Sequence, residues 1–432
     1  MKNILIFFIF TMSMYSFSEV EDSDEFAEFE EVKNSDQTSF IPIIRGMLEI
    51  EEGEAISHKK LRASFDKIFN KGGLFSKTDF IHDDITYKSR IDVRELRLQY
   101  RLNSWLDLSI GRQVSTWGVG DMLFINDLFP KNWNANFQGR EMEMLKDPSN
   151  TVRLTSYGDV WITDLVYTPK FTADTFPRGC YFDVYNMGTG KISENRDHCV
   201  EYQALDENGK EIKEDEISLS LKRKIKNHEL AFYYYEGFYK SPKGVRTSPS
   251  LITYHPRLSV YGFSDEGQLG DGVFTFEYGY YDSKDDLKGK DYFIENSKMK
   301  YLIGYKMNLT SSFSFGTQWY QEKMLNYDNY EKSLLLNNPQ AYDYRKKEFQ
   351  NTLTLRLTYK AMQDTLFFNL FTYIRPEDKD SFSKIEVSKK LTDNLKLTTG
   401  MNIFEGKESY NDREFGMLKE EDNTFIRLNY NF

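Results

Sequence analysis

From about residue 43 to the C-terminus, side chains alternate between apolar and polar with a period of two. In the stretch Asn351–Tyr359, Leu353, Leu355, Leu357 and Tyr359 share one face, and Thr354, Arg356 and Thr358 the other. Phe274, Phe276, Tyr278 and Tyr280 oppose Thr275, Glu277 and Gly279 in the same way. Met299, Tyr301, Ile303, Tyr305 and Met307 form another such face, as do Leu395, Leu397, Met401 and Ile403. That period belongs to strands with one apolar face and excludes a helical architecture. A soluble sandwich also alternates, so the connections must separate the two classes. Tight turns are expected at 102–104, 157–159, 226–227, 309–311, 362–364 and 392–394. Between them lie polar stretches at about 117–150, 171–214, 240–249, 283–296, 324–346 and 405–421. Short turns alternating with long loops are the pattern of an outer-membrane barrel. Outgoing strands starting near 43, 74, 104, 160, 228, 270, 311, 364 and 394, each with a returning partner, predict an all-β transmembrane antiparallel barrel of about 18 strands. Sixteen is the alternative if the weakly patterned first pair drops out.

Both ends of the chain fit this class. Ile426, Leu428, Tyr430 and Phe432 share one face of a final strand. An aromatic ending on Tyr430 and Phe432 resembles the signal read by the barrel-assembly machinery, an expected partner. At the other end, Met1-Lys2-Asn3, an apolar run from Ile4 to Met14 and Ser16-Phe17-Ser18 ahead of Glu19 read as a cleaved signal peptide, residues 1–18. The apolar run is too short to span a bilayer comfortably. Mean hydropathy is −0.61, as a barrel allows, because lipid-facing and lumen-facing residues average out. The 29 Tyr and 34 Phe fit aromatic girdles at the two membrane interfaces. Residues 19–40 are expected to form an acidic periplasmic segment, solvated or docked on a basic surface, and 41–432 the barrel. Glu19–Asp36 holds nine acids against Lys33, with Phe26 and Phe29 among them.

Loss of Lys2 with the leader takes the net charge from −11 to −12. An acidic balance argues against a nucleic-acid partner; outer-membrane lipid and lipopolysaccharide are the expected surroundings. Cys180 and Cys199 are the two cysteines, and in an exported chain they read as a disulfide closing one loop. With His198 they are too few for a zinc site, so no metal or cofactor is expected. Catalysis is not expected either. Of five histidines, His58, His82, His198, His228 and His255, none sits in a phospholipase-like string, and His82-Asp83-Asp84 reads as a solvated loop.

The segment Val93–Trp133 stands apart, with Arg94-Glu95, Gly111-Arg112-Gln113, Trp117-Gly118, Asp121, Asn126-Asp127 and Pro130. Over about forty residues it resembles a broad family of Gram-negative outer-membrane barrels of unknown function, related to alginate-export and substrate-specific porins. Some members are associated with MMPL-type RND exporters and a periplasmic carrier. The resemblance implies transport, either as the outer-membrane part of an exporter for a hydrophobic or lipid-like molecule or as a porin for a small polar solute; a surface adhesin is the third reading.

Alternation places Glu95, Arg97, Gln99 and Arg101 toward the lumen, with Asp107 and Ser109 on the next strand. Strict alternation would leave Arg112 facing lipid, at roughly 2–4 kcal/mol if at the midplane. Either Arg112 lies near the outer rim, or a bulge at Gly111 turns it inward onto Asp121 or Asp127, which is the preferred reading. Such a pair, with Gln113, Trp117, Gly118 and Pro130, would pin 117–150 into the lumen. Two tests follow. Deleting Phe432 should reduce outer-membrane assembly and heat-modifiable gel migration; a soluble periplasmic full-length protein would overturn the barrel reading. Thiol labelling of the denatured, non-reduced protein should find no free thiol, and two labelled cysteines would refute the disulfide.

Overall fold

The computed structural model describes residues 42–177, 180–183, 185–186, 191–192, 203–406 and 415–432. The expected leader, the acidic segment and Cys199 lie outside the described residues, so the Cys180–Cys199 pairing stays an expectation.

Eighteen barrel strands follow one another along the chain: β1 (Ile43–Gly53), β2 (Ser57–Phe69), β3 (Gly72–Asp83), β4 (Lys88–Asn103), β5 (Leu106–Gln113) and β6 (Ser149–Tyr157). Next come β7 (Ile162–Thr168), β8 (Glu216–Ile225), β9 (His228–Phe238), β10 (Arg257–Leu269), β11 (Gly272–Ser283) and β12 (Lys298–Asn308). The last six are β13 (Phe313–Met324), β14 (Phe349–Ala361), β15 (Leu366–Arg375), β16 (Asp380–Lys390), β17 (Leu395–Glu405) and β18 (Asn423–Asn431). Each pairs antiparallel with the next, and β18 returns to β1 with Leu48 opposite Tyr430 and Gly53 opposite Phe425. The barrel is therefore closed, with no free sheet edge. Gly46 and Phe432 exchange both backbone hydrogen bonds at 2.8 Å, completing the seam. The first pair, weakly patterned in sequence, forms full strands of 11 and 13 residues, which decides for eighteen over sixteen.

Connections alternate as expected. Those at 70–71, 104–105, 158–161, 226–227, 270–271, 309–312, 362–365 and 391–394 lie at the end that carries Ile43 and Asn431. The opposite end carries the long ones, among them 114–148, 169–215, 239–256, 284–297, 325–348 and 406–422. The loop read as 240–249 is longer because it holds a small hairpin, Gly244–Arg246 against Ile252–Tyr254. In the loop 325–348, helix α2 (Tyr327–Asn337) packs Tyr330 and Leu334 on Met324.

The two faces of the wall differ as the alternation demands. Outward-facing Leu48, Ile50, Leu96, Leu98, Ile303 and Ile426 are 44–52 % exposed. On the outer face of β9–β11, Phe232, Phe263 and Phe276 line up across strands at 5.2 and 6.1 Å between ring centroids. Tyr234, Tyr261 and Tyr280 do the same at 5.4 and 6.4 Å. Such an apolar, aromatic belt is solvated by lipid, so this is a membrane barrel. The inner face is polar: Arg94 and Arg427 are among the largest side chains buried below 2 % exposure. No described helix is long and apolar enough to cross a membrane.

Gly111 adopts φ +133°, and a Cβ there would lie 2.1 Å from the Leu96 carbonyl oxygen on β4. Gly111→Ala should therefore break the upper β4–β5 ladder, lowering the yield of heat-modifiable barrel and raising protease cleavage after residue 113. Assembly and protection equal to wild type would contradict the geometry.

Candidate functional site

The connection 114–148 does not project outward from the wall. It crosses the lumen as a strap and meets the barrel on opposite sides. Its first arm, 116–127, leans on β7, β11 and β13–β15. Trp117 donates its indole N–H to Asp164 at 3.0 Å and packs on Phe129. The Glu277 carboxylate accepts from the amides of Val119, Gly120 and Asn126 at 3.2, 3.1 and 2.8 Å and from the Asn126 side chain at 2.9 Å. Gly118, at φ +84°, is where the strap passes this carboxylate; a Cβ would sit 2.7 Å from its oxygen. Gln318 holds Asp121 from both sides, accepting from its amide and donating to its carbonyl, each at 2.8 Å. Arg356 grips the Asp121 carboxylate with two nitrogens at 2.5 and 2.7 Å, the fork geometry that a guanidinium offers a carboxylate. The hydroxyls of Tyr281 and Tyr373 each donate at 2.5 Å to strap carbonyls, of Ile125 and Met122.

The second arm, 137–147, leans on β1–β4 and β16–β18. Asn402 and Asn423 donate to the Phe137 carbonyl at 2.9 and 3.2 Å, and Phe137 packs edge-on against Phe382 and Phe404. Arg140 meets Glu51 at 3.1 Å; Arg427 meets Glu51 at 2.6 Å and donates to the Gly139 carbonyl. Glu143 takes Arg62 at 2.6 Å and Lys77 at 3.2 Å. Burial pushes the Glu143 carboxyl up, but Arg62 and Lys77 more than offset it and hold it well below the usual range. Between the arms, Asn132 caps helix α1 (Trp133–Phe137) by accepting from the Ala135 amide. The loop after β7 lies on this turn: the Asp174 carboxylate accepts from the Lys131 amide at 2.9 Å and the Trp133 indole at 3.2 Å. Burial lifts the Asp174 carboxyl to about 6, against the pull of Lys131.

The sequence-predicted residues divide. Glu95, Arg97 and Arg101 stand on the inner face, Arg97 paired with Glu95 and Arg101 with Asp107 at 2.9 Å. Gln113 accepts from Ser109 and donates to Thr151, each at 2.8 Å, and Pro130 is buried with its carbonyl taking the Asp147 amide. Asp121 is a strap carboxylate bound by an arginine, but the arginine is Arg356. Asp127 pairs with Lys131 at 2.8 Å and takes the Thr116 hydroxyl. Arg112 is placed otherwise than expected. It sits directly opposite Leu96 on one side and exposed Asn150 on the other, on the outer face, and its Nε donates to the Val93 carbonyl at 2.5 Å. The bulge lies one strand away: the β3–β4 register shifts where Lys77 pairs with Glu95 and Thr78 with Val93. Arg94 is the extra residue and is thereby turned inward. It meets Asp147 at 3.1 Å and the carbonyls of Glu143 and Lys146 at 2.9 and 2.5 Å. Alternation alone could not distinguish the two arginines, because the inserted residue carries no glycine to mark it.

No protein-family model matches the chain, and no curated protein matches it in sequence. Solved structures do match in fold. Acinetobacter baumannii OccAB2 aligns over 92 % of this chain and 99 % of its own, at TM-score 0.54 and 11 % identity. Pseudomonas aeruginosa OccK3 (OpdO) covers 90 % and 94 %, at 0.52 and 10 % identity. Pseudomonas aeruginosa OccK5 (OpdH) covers 90 % and 96 %, at 0.51 and 12 %. The fold is that of a Gram-negative outer-membrane barrel.

Two predictions come from the strap. Glu277→Ala leaves three backbone donors without their acceptor, at ~1–3 kcal/mol each. It should expose 117–127 to limited proteolysis while the barrel still shows heat-modifiable migration; unchanged protection would contradict the anchoring role. Because burial raises the folded pKa of Asp174 above its ordinary 3.8, its contact with 131–133 is fully favoured below that value. It weakens as pH rises through about 6. Hydrogen exchange at 131–137 should accordingly be faster at pH 7 than at pH 4 after correction for the intrinsic rate; a pH-independent protection factor would refute this.

Proposed function

We propose that this protein is an outer-membrane channel selective for a small polar solute, with the strap as its constriction. The observation that carries the reading is the Asp121–Arg356 pair. A carboxylate on the strap and a guanidinium on the wall face each other within the lumen, and their side chains remain 34 % and 27 % exposed. Opposed charges held at a narrow point set up a transverse field that orients a polar solute as it passes. Their positions are fixed by wall groups, Gln318 beneath Asp121 and the Phe371 ring 4.6 Å beneath the Arg356 guanidinium. A second row, Arg97, Arg101 and Arg153, lines another part of the inner wall beside Glu95, Asp107 and Asp164. The porin-type channels that share the fold support this reading. The exporter reading rests on the Val93–Trp133 resemblance. It would require a carrier or exporter partner, and it differs in its electrical signature.

Purified protein in a planar bilayer should give stepwise conductance. Arg356→Ala should change ion selectivity and raise conductance by about two-fold or more, with assembly intact, because it removes both the grip on Asp121 and one wall of the constriction. A well-assembled protein that is electrically silent would favour the partner-gated exporter. Conductance and selectivity unchanged by substitution of Arg356, Arg97 and Arg101 would favour an anchor or adhesin.

A further inference from the structure

Arg112 is a cation on the lipid side of the wall. It stands opposite Leu96 and Asn150 in register, and Leu96 and Ile110 beside it are 52 % and 44 % exposed. Its Nε is spent on the Val93 carbonyl, and among the described residues no carboxylate lies within ion-pair distance of it. That sets it apart from other outward cations. Arg223 and Lys389 stand close to the short turns 226–227 and 391–394, where water reaches them. Lys59 has Asp84 at 3.0 Å, and Lys323 has Glu348 at 3.8 Å. Outward acids are likewise taken: Asp265 by His228, Glu236 by the Tyr234 hydroxyl and Asp282 by Lys284. The wall offers Arg112 no counter-ion, and a lone charge on a lipid-facing surface is costly away from the interfaces.

Its height on the wall says where a counter-ion could come from. The run of chain from Trp105, at one short turn, to Arg112 equals the run from Asn227, at another, to Tyr234 of the aromatic row. At about 3.4 Å per residue and a tilt of about 45°, that is roughly 17 Å up an apolar band about 25 Å tall. The side chain continues upward. Val93, which takes the Nε, lies nearer the long-loop end than Leu96 does, because β4 descends from Lys88. Long loops are extracellular, so the guanidinium reaches toward the outer-leaflet interface, as long basic side chains do when they snorkel. Asn150, directly opposite, is exposed on the same face.

We propose that Arg112 and Asn150 form a lipid site on the outer face of β5 and β6, holding one phosphate of a lipopolysaccharide molecule at the outer-leaflet interface. The outer leaflet of such a membrane is lipopolysaccharide, whose sugar head carries phosphate just above its acyl chains. A guanidinium suits that ligand: with Nε engaged, its two terminal nitrogens remain for a two-point contact with phosphate. The side-chain amide of Asn150 adds a neutral donor. The site also has a structural task. β5 ends at Gln113, where the strap leaves the wall, and β6 begins at Ser149, where it returns. Arg112 and Asn150 each stand one residue inside those ends, so a lipid held between them braces the two strand ends from which the strap hangs.

The test does not depend on conductance, so it stands apart from the channel reading. Purified, delipidated barrel in detergent is titrated with diphosphorylated lipid A and binding is read by native mass spectrometry. Lipid A should bind, and the same lipid stripped of phosphate should bind at least about tenfold more weakly. Arg112→Gln should lower the lipid A affinity by about tenfold, whereas Arg223→Gln, at the other interface, should leave it unchanged. Asn150→Asp supplies the missing carboxylate from within the wall. It should assemble as well as wild type and lose lipid A as Arg112→Gln does, which keeps the answer within reach if the glutamine variant does not assemble. Equal lipid A binding by wild type and Asn150→Asp would overturn the proposal. Equal affinity for phosphatidylglycerol would overturn it too, by making the site one for any lipid phosphate. So would a dimer that either variant dissociates, which would assign this face to a second copy of the chain.

Discussion

Arg94 and Arg427 are buried below 3 % exposure inside a membrane barrel, and each reaches a carboxylate of the strap, Asp147 at 3.1 Å and Glu141 at 3.5 Å. A buried arginine with no partner costs several kcal/mol, and removing one member of such a pair costs about 3–5 kcal/mol. The inner wall therefore cannot be built independently of the loop 114–148. Arg94 directs its two terminal nitrogens to the Asp147 carboxylate and two strap carbonyls. Arg427 reaches both Glu51 and the strap, where Arg140 meets the same Glu51 carboxylate. Satisfaction of inward-facing charge is the constraint from which the strap's position follows.

That network also sits behind the seam. Glu49 and Glu51 belong to β1 and Arg427 to β18, the pair of strands that must meet last along the chain. From within, Lys60 of β2 holds Glu49 at 2.5 Å, and Asn429 of β18 donates to the same carboxylate at 2.8 Å. The backbone ladder closes the barrel, and the side-chain network with Arg140 fastens that closure to the strap. Opposite the seam, Glu277 plays the matching part with uncharged donors, three backbone amides and one side-chain amide. Ion pairs and amide hydrogen bonds thus hold the strap on both sides, Arg140, Arg427 and Glu51 with Asn402 beside the seam and Glu277 and Gln318 with the Arg356–Asp121 pair across from it.

The architecture was legible because a strand's period and a loop's length are local properties. The alternation from Leu353 to Tyr359, the short turns and the long loops each survive translation into three dimensions without change. The site was only partly legible. Asp121 could be singled out by its place after Trp117-Gly118, and its need for a cation could be foreseen. Its partner Arg356 lies 235 residues away on β14, in an alternating strand that looks like any other. The same holds for Glu277, Gln318 and Asn402, whose signal would have been an unusually small or polar inward residue at matching height. Arg112 was misplaced for a different reason. A bulge shifts alternation by one residue, and sequence does not say which strand of a pair carries the insertion.

The central claim is that the strap lies across the lumen with its first arm against β14. Asp121→Cys and Arg356→Cys together, treated with a short bifunctional thiosulfonate in intact outer membranes, test it most directly. The account predicts efficient cross-linking within one chain in assembled, heat-modifiable barrel, with either single variant giving none. An assembled double variant whose cysteines both label readily but never cross-link would contradict it.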